Sequence, residues 1–75
     1  MGNKNKVEKD VYQIISKVLK ISKKKLNNNT SMLNTREWDS LANLNIYVKL
    51  DTKYSINLEK AYKARTIGDW IKVVK

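Results

Sequence analysis

The sequence predicts an all-α fold: a four-helix bundle with three longer helices, one short helix and a long first loop. Three observations predict it. Apolar residues recur at helical spacing in three separate segments. The chain holds 2 Gly and no Pro, so little in it breaks a helix. Helix-start signals at Asp39 and Thr66 separate the segments. At 75 residues the chain is one domain, 1–75, with residues 1–5 expected to lack order.

Val7, Val11, Ile14, Ile15 and Val18 form one apolar stripe, and Lys9, Gln13, Ser16, Lys17 and Lys20 take the opposite face. This spacing predicts helix 1 over about 5–20. Lys23, Lys24 and Lys25 follow, and cations suit the negative end of a helix dipole. Three consecutive Asn, 27–29, mark a turn region. A long loop runs from there to Trp38, and its Leu26, Met32 and Leu33 are expected to enter the core. A loop of that length in so small a domain is commonly functional.

Asp39 is a favoured N-cap, because its carboxylate accepts backbone N–H groups of the first turn. Leu41, Leu44, Tyr47, Val48, Leu50 and Tyr54 follow, with Ile46 between, and predict helix 2 over 39–54. Apolar around most of its circumference, helix 2 is expected at the centre of the bundle. Ser55-Ile56-Asn57-Leu58 reads as an extended link, followed by a short helix over about 59–63. Thr66 with Asp69 three residues on forms a capping box. Ile67, Trp70, Ile71 and Val74 give the stripe of a last helix, 66–74.

Charge and composition exclude several function classes. There is no Cys and no His, so disulfides, Cys/His zinc sites and a nucleophile–histidine pair are all absent. Sixteen bases against seven acids give +9, which raises a nucleic-acid or anionic-surface reading. The distribution opposes it. Residues 1–25 carry eight Lys against two acids, residues 59–75 five bases against two, and residues 26–58 are neutral. Arg occurs twice, and nine Asn accompany fourteen Lys, the pattern of a general compositional bias. A solvated basic surface explains the charge better than a groove-reading helix does. No apolar run approaches a membrane span. MGNKNK leads into no apolar signal segment, and Lys6 stands where a myristoylation motif needs Ser or Thr. The expected location is the cytoplasm.

Trp38-Asp39-Ser40-Leu41 is the strongest local feature. With Asp39 as N-cap, Ser40 is the first helical residue. Its hydroxyl then stands at the positive end of the dipole beside unpaired N–H groups, a setting that accepts phosphate. Nothing in the sequence activates Ser40 as a nucleophile, which suits a substrate of another enzyme better than a catalyst. A plain helix cap is the bland alternative for Asp39-Ser40 taken alone. Trp38 could staple the helix start, but the partner position is the polar Asn43, so core packing of the loop or a partner contact is left to it.

The whole arrangement resembles the acyl carrier protein family, together with its peptidyl and aminoacyl carriers. In that family Asp-Ser-Leu opens the second helix. A Leu-Glu-x-x-Phe-Gly-Ile-x-Ile run follows, represented here by Leu50-Asp51-Thr52-Lys53-Tyr54-Ser55-Ile56-Asn57-Leu58. A Thr-[Val/Ile]-x-Asp start of the last helix matches Thr66 to Asp69. The resemblance runs from about Val7 to Val74. It implies a non-catalytic carrier with 4′-phosphopantetheine, taken from coenzyme A, attached to Ser40 and holding an acyl or aminoacyl group as a thioester. Asp39 would then serve recognition by the phosphopantetheinyl transferase. Trp38, Leu41, Val48 and Asp51 would meet partner enzymes. Leu44, Tyr47, Leu50 and Ile67 would line or border a pocket for the carried chain, although each is equally readable as core. Implied partners are the transferase, an acyl- or aminoacyl-loading ligase and acyl-transfer enzymes, and the implied state is a monomer. No metal site is implied.

Two departures stand out. Members of the family are usually strongly acidic along helix 2, whereas Ala42, Asn45 and Thr52 stand here, with Asp51 the one acid. Trp38 occupies a place usually held by a small residue in carriers of primary fatty-acid synthesis, and Trp-Asp-Ser-Leu is more like specialised biosynthetic carriers. Besides the basic binder, a carrier-like subunit that is never modified remains an open alternative.

Overall fold

The computed structural model describes residues 2–74, and the side chains of 6–74. Four α-helices follow in order: α1, Gly2–Leu19; α2, Ser40–Tyr54; α3, Leu58–Lys63; and α4, Ile67–Val74. A single 3-10 turn at Lys23–Lys25 interrupts the long first loop. The all-α class and the three-plus-one helix count are as the sequence predicts. Residues 2–5, expected to lack order, extend α1 instead. No proline stands there to end the helix, and Met1 lies outside the described residues.

Helix α1 packs against both α2 and α4, and α3 packs against α4. The hub is therefore α1, not α2 as its sequence suggests. Helix α1 buries Val11, Ile15 and Leu19, with Val7, Ile14 and Val18 half-buried beside them. Helix α2 buries one narrow stripe, Ala42, Ile46 and Leu50, spaced by four. The apolar residues of α2 exceed what one core contact can cover, so Leu41, Leu44 and Val48 are left exposed. Ile56, Ala61, Ala64, Ile67, Trp70 and Ile71 close the core from the C-terminal half. Burying each large side chain contributes about 1.5–3 kcal/mol before entropy is counted.

The helix ends follow from local chemistry. At the end of α1, Lys20 turns left-handed (φ 60°) and Ile21 N–H donates to Ser16 O at 3.1 Å. Ser55 is also left-handed at the end of α2 (φ 56°), and there its own N–H donates to Asp51 O at 2.8 Å. The segment 55–58 is not an extended link throughout. Asn57 caps α3 by accepting the Lys60 N–H at 3.1 Å, and Leu58 is already helical. The capping box of α4 is present: Asp69 N–H donates to Thr66 Oγ1 at 3.0 Å, and Thr66 N–H to Asp69 Oδ2 at 3.3 Å.

The long loop is a built element. Thr30 and Ser31 are buried, and Ser31 forms an isolated antiparallel bridge with Thr66. Thr30 O accepts the Ile67 N–H at 3.0 Å, and Asn28 O accepts the Gly68 N–H at 3.1 Å. The loop thus satisfies donors that the start of α4 cannot pair within itself. A Cβ on Gly68 would lie 3.2 Å from Asn28 O, so a side chain there would require the loop to give by a few tenths of an ångström. Tyr12 pins the loop to α1 by donating to Asn28 Oδ1 at 2.6 Å. Of the expected loop plugs, Leu26 is buried. Met32 is exposed and Leu33 is 96% exposed, because the turn at 31–34 is closed by Asn34 Oδ1 and points both outward.

Candidate functional site

Ser40 is the first residue of α2 and is exposed. Asp39 precedes it with extended backbone (φ −95°, ψ −174°), and its Oδ1 accepts the Ala42 N–H at 2.8 Å. Asp39 O accepts the Asn43 N–H at 2.9 Å. The N–H groups of Ser40 and Leu41 have no acceptor among the described residues. A hydroxyl flanked by two free N–H groups at the positive end of a fifteen-residue helix is a favourable seat for a phosphodiester.

Trp38 anchors this corner from beneath. It is 2% exposed, and its Nε1 donates to Asn43 Oδ1 at 3.0 Å. Asn43 therefore holds the helix start by a hydrogen bond where an apolar staple would have used packing. Burial makes Trp38 a core residue, the packing role of the two left open for it, and not a partner contact.

A cleft of about 260 Å³ opens beside Ser40, lined by Asn43, Leu44 and Tyr47 of α2, Leu58, Ala61 and Tyr62 of α3, and Trp70 of α4. Leu44 and Tyr47 line this cleft. Leu50 and Ile67 do not: both are fully buried in the core and absent from the lining. Asn43, Leu58, Ala61, Tyr62 and Trp70 were missed by sequence reasoning. The four-residue spacing of Leu58 and Tyr62 was the available signal, obscured because α3 is only six residues long. Leu41 and Val48, 67% and 50% exposed, stand outside the cleft on the open face of α2, and Asp51 is half-buried. The cleft beside Ser40 is accordingly lined mainly by apolar side chains and by no lysine or arginine. A larger depression of about 640 Å³ lies over the first loop, bordered by Lys20, Lys25 and Arg36, and does not include Ser40.

A second polar cluster ties α1 to the far end of α2. The Tyr54 hydroxyl donates to Asp10 Oδ2, and Lys53 Nζ lies 3.7 Å from the same oxygen. The Tyr54 hydrogen bond, with Lys53 and Lys6 nearby, holds the Asp10 carboxyl below its ordinary range. Burial first, and the Asp10 carboxylate second, push Tyr54 up to about 12. This cluster is structural and lies at the other end of α2 from Ser40.

The fold and the Ser40 corner together define an acyl-carrier-like protein. The solution structure of holo acyl carrier protein from Geobacter metallireducens is similar to this chain, with a TM-score of 0.74 and 27% sequence identity over 91% of this chain and 80% of that one. No protein-family model and no curated protein matches the sequence. Among the described residues, no helix is long and apolar enough to cross a membrane.

Proposed function

We propose that this chain is a carrier protein that holds an acyl group as a thioester on 4′-phosphopantetheine attached to Ser40. The observation that carries the reading is Ser40 itself, an exposed hydroxyl on the first residue of α2, beside a cleft, in a fold similar to a holo carrier. The residues present fit the group. The Ser40 and Leu41 N–H groups would hold the phosphodiester, and the cleft offers room for a carried chain. When bound, phosphopantetheine supplies a thiol that stores the acyl group in a reactive thioester. Attachment forms a phosphorus–oxygen bond at Ser40 Oγ and breaks the diphosphate of coenzyme A. Adenosine 3′,5′-bisphosphate leaves, and the serine proton passes to the transferase.

The chain itself contributes position and charge, not catalysis. Asp39 keeps the helix start rigid through its cap while its exposed carboxylate is offered to the transferase. Partner recognition is mainly apolar, through Leu41 and Val48, because Asp51 is the one acid among the family's usual acidic positions on α2. The Trp-Asp-Ser-Leu start favours a specialised biosynthetic pathway, served in the cytoplasm by a loading ligase and acyl-transfer enzymes.

The test is intact mass after incubation with coenzyme A and a broad-specificity phosphopantetheinyl transferase. The native chain should gain one phosphopantetheine, and Ser40→Ala should gain none. An exposed helix-start substitution should change stability by no more than about 0.5 kcal/mol, so the variant should fold. A native chain that gains no mass would leave it an unmodified carrier-like subunit.

A further inference from the structure

The two tryptophans are almost equally buried but differently satisfied. Trp38 donates its indole N–H to Asn43. Trp70, 1% exposed, has an Nε1 with no hydrogen-bond partner among the described residues. A buried donor without an acceptor costs about 1–3 kcal/mol and calls for an explanation. Trp70 belongs to the lining of the cleft beside Ser40. So does Asn43, whose carbonyl oxygen must face Trp38, because an indole N–H can only donate. That turns the Asn43 amide group toward Trp38, so its oxygen is already taken and offers Trp70 no acceptor. The cleft therefore has one unmatched buried donor, the Trp70 indole, in a lining that includes Leu44, Leu58 and Ala61.

Resting on the carrier reading, we infer that this cleft selects a carried acyl group bearing an accepting oxygen, a hydroxyl or carbonyl, beyond the thioester, and that Trp70 Nε1 is the donor that binds it. A saturated chain would fill the cleft and leave the indole unpaired. A protonated amine would bring a further donor to a place already short of acceptors. The indole nitrogen is covered, so the acyl group must part the cleft to reach it. Leu58 and Tyr62, 65% and 82% exposed on the short α3, are the side chains free to move aside.

The experiment loads the full chain from butyryl-, 3-hydroxybutyryl- and 3-oxobutyryl-coenzyme A with the transferase, alongside coenzyme A itself. Two readouts follow: the indole 1H–15N resonances of Trp38 and Trp70, and the rate of thioester hydrolysis. The Trp70 resonance should move downfield with the two oxygenated groups and stay in place with butyryl or the bare arm, while Trp38 stays put throughout. Hydrolysis should be slower for the oxygenated groups by roughly 2- to 10-fold, the range of one neutral hydrogen bond. Trp70→Phe should erase that difference. A Trp70 resonance that is the same in all three acyl forms, or that moves equally with the bare arm, overturns the inference and leaves the carrier reading intact. Absence of any mass gain overturns the carrier reading and the inference with it. Should Trp70→Phe fail to fold, the resonances of the native chain decide alone.

Discussion

Ser40 and Ser55 are the two serines bounding α2, and their backbones ask opposite things of the side chain. Ser40 begins the helix in ordinary geometry and is free to carry chemistry. Ser55 ends it at φ 56°, where a Cβ crowds the following carbonyl. The left-handed conformation costs a non-glycine residue about 1–2 kcal/mol, and glycine returns part of that gain as extra freedom in the unfolded chain. Ser55→Gly should therefore raise stability by about 0.5–1 kcal/mol, read as a higher denaturant midpoint at unchanged slope. A lower midpoint would mean that the serine makes a compensating interaction.

At the scale of elements, α2 does two jobs with two faces. Ala42, Ile46 and Leu50 fasten it to the core, whereas Leu41, Leu44 and Val48 are left exposed around Ser40. Burying such side chains against a partner is worth roughly 25 cal/mol per Å², whereas one exposed ion pair is worth at most about 1 kcal/mol. Leu41→Ala and Val48→Ala should each lower the rate of phosphopantetheine transfer more than Asp51→Asn does, with circular dichroism confirming the helices. Greater damage from Asp51→Asn would point to recognition by charge. Truncating exposed residues leaves the core stripe in place, so the assay separates docking from folding.

For the whole molecule, the Tyr54–Asp10–Lys53 cluster joins the N-terminal helix to the end of α2 and makes stability depend on pH at both extremes. Asp10 is held below its ordinary value of 3.8, so its contribution is complete above that value and is lost as pH falls through the lower folded value. Tyr54 is raised from 10.0 to about 12, so its contribution is complete below pH 10 and is lost between 10 and about 12. Tyr54→Phe removes the alkaline effect and the largest cause of the acid one, leaving Lys53 and Lys6 beside Asp10. Thermal melts against pH should show a lower melting temperature for the variant between pH 5 and 9, with the two curves converging toward each extreme. Parallel curves would assign the loss to packing alone.

The sequence by itself determined the helices that have strong local signals. The stripe at Val11 and Ile15, the Asp39 cap before Ser40 and the Thr66–Asp69 box each act within a turn or two of chain, so spacing alone reveals them. Ser40 was legible for the same reason. Tertiary structure decided which apolar residues enter the core. Leu33 and Ile46 are both apolar, but one points to solvent and the other is fully buried, because direction depends on a turn closed by Asn34 and on where α1 lies against α2. The cleft was invisible for a further reason: its lining comes from three helices, and α3 is too short to announce a face. Trp38 and Trp70 carry the same side chain and nearly the same burial, and only the neighbours supplied by folding leave one paired with Asn43 and the other without a partner among the described residues.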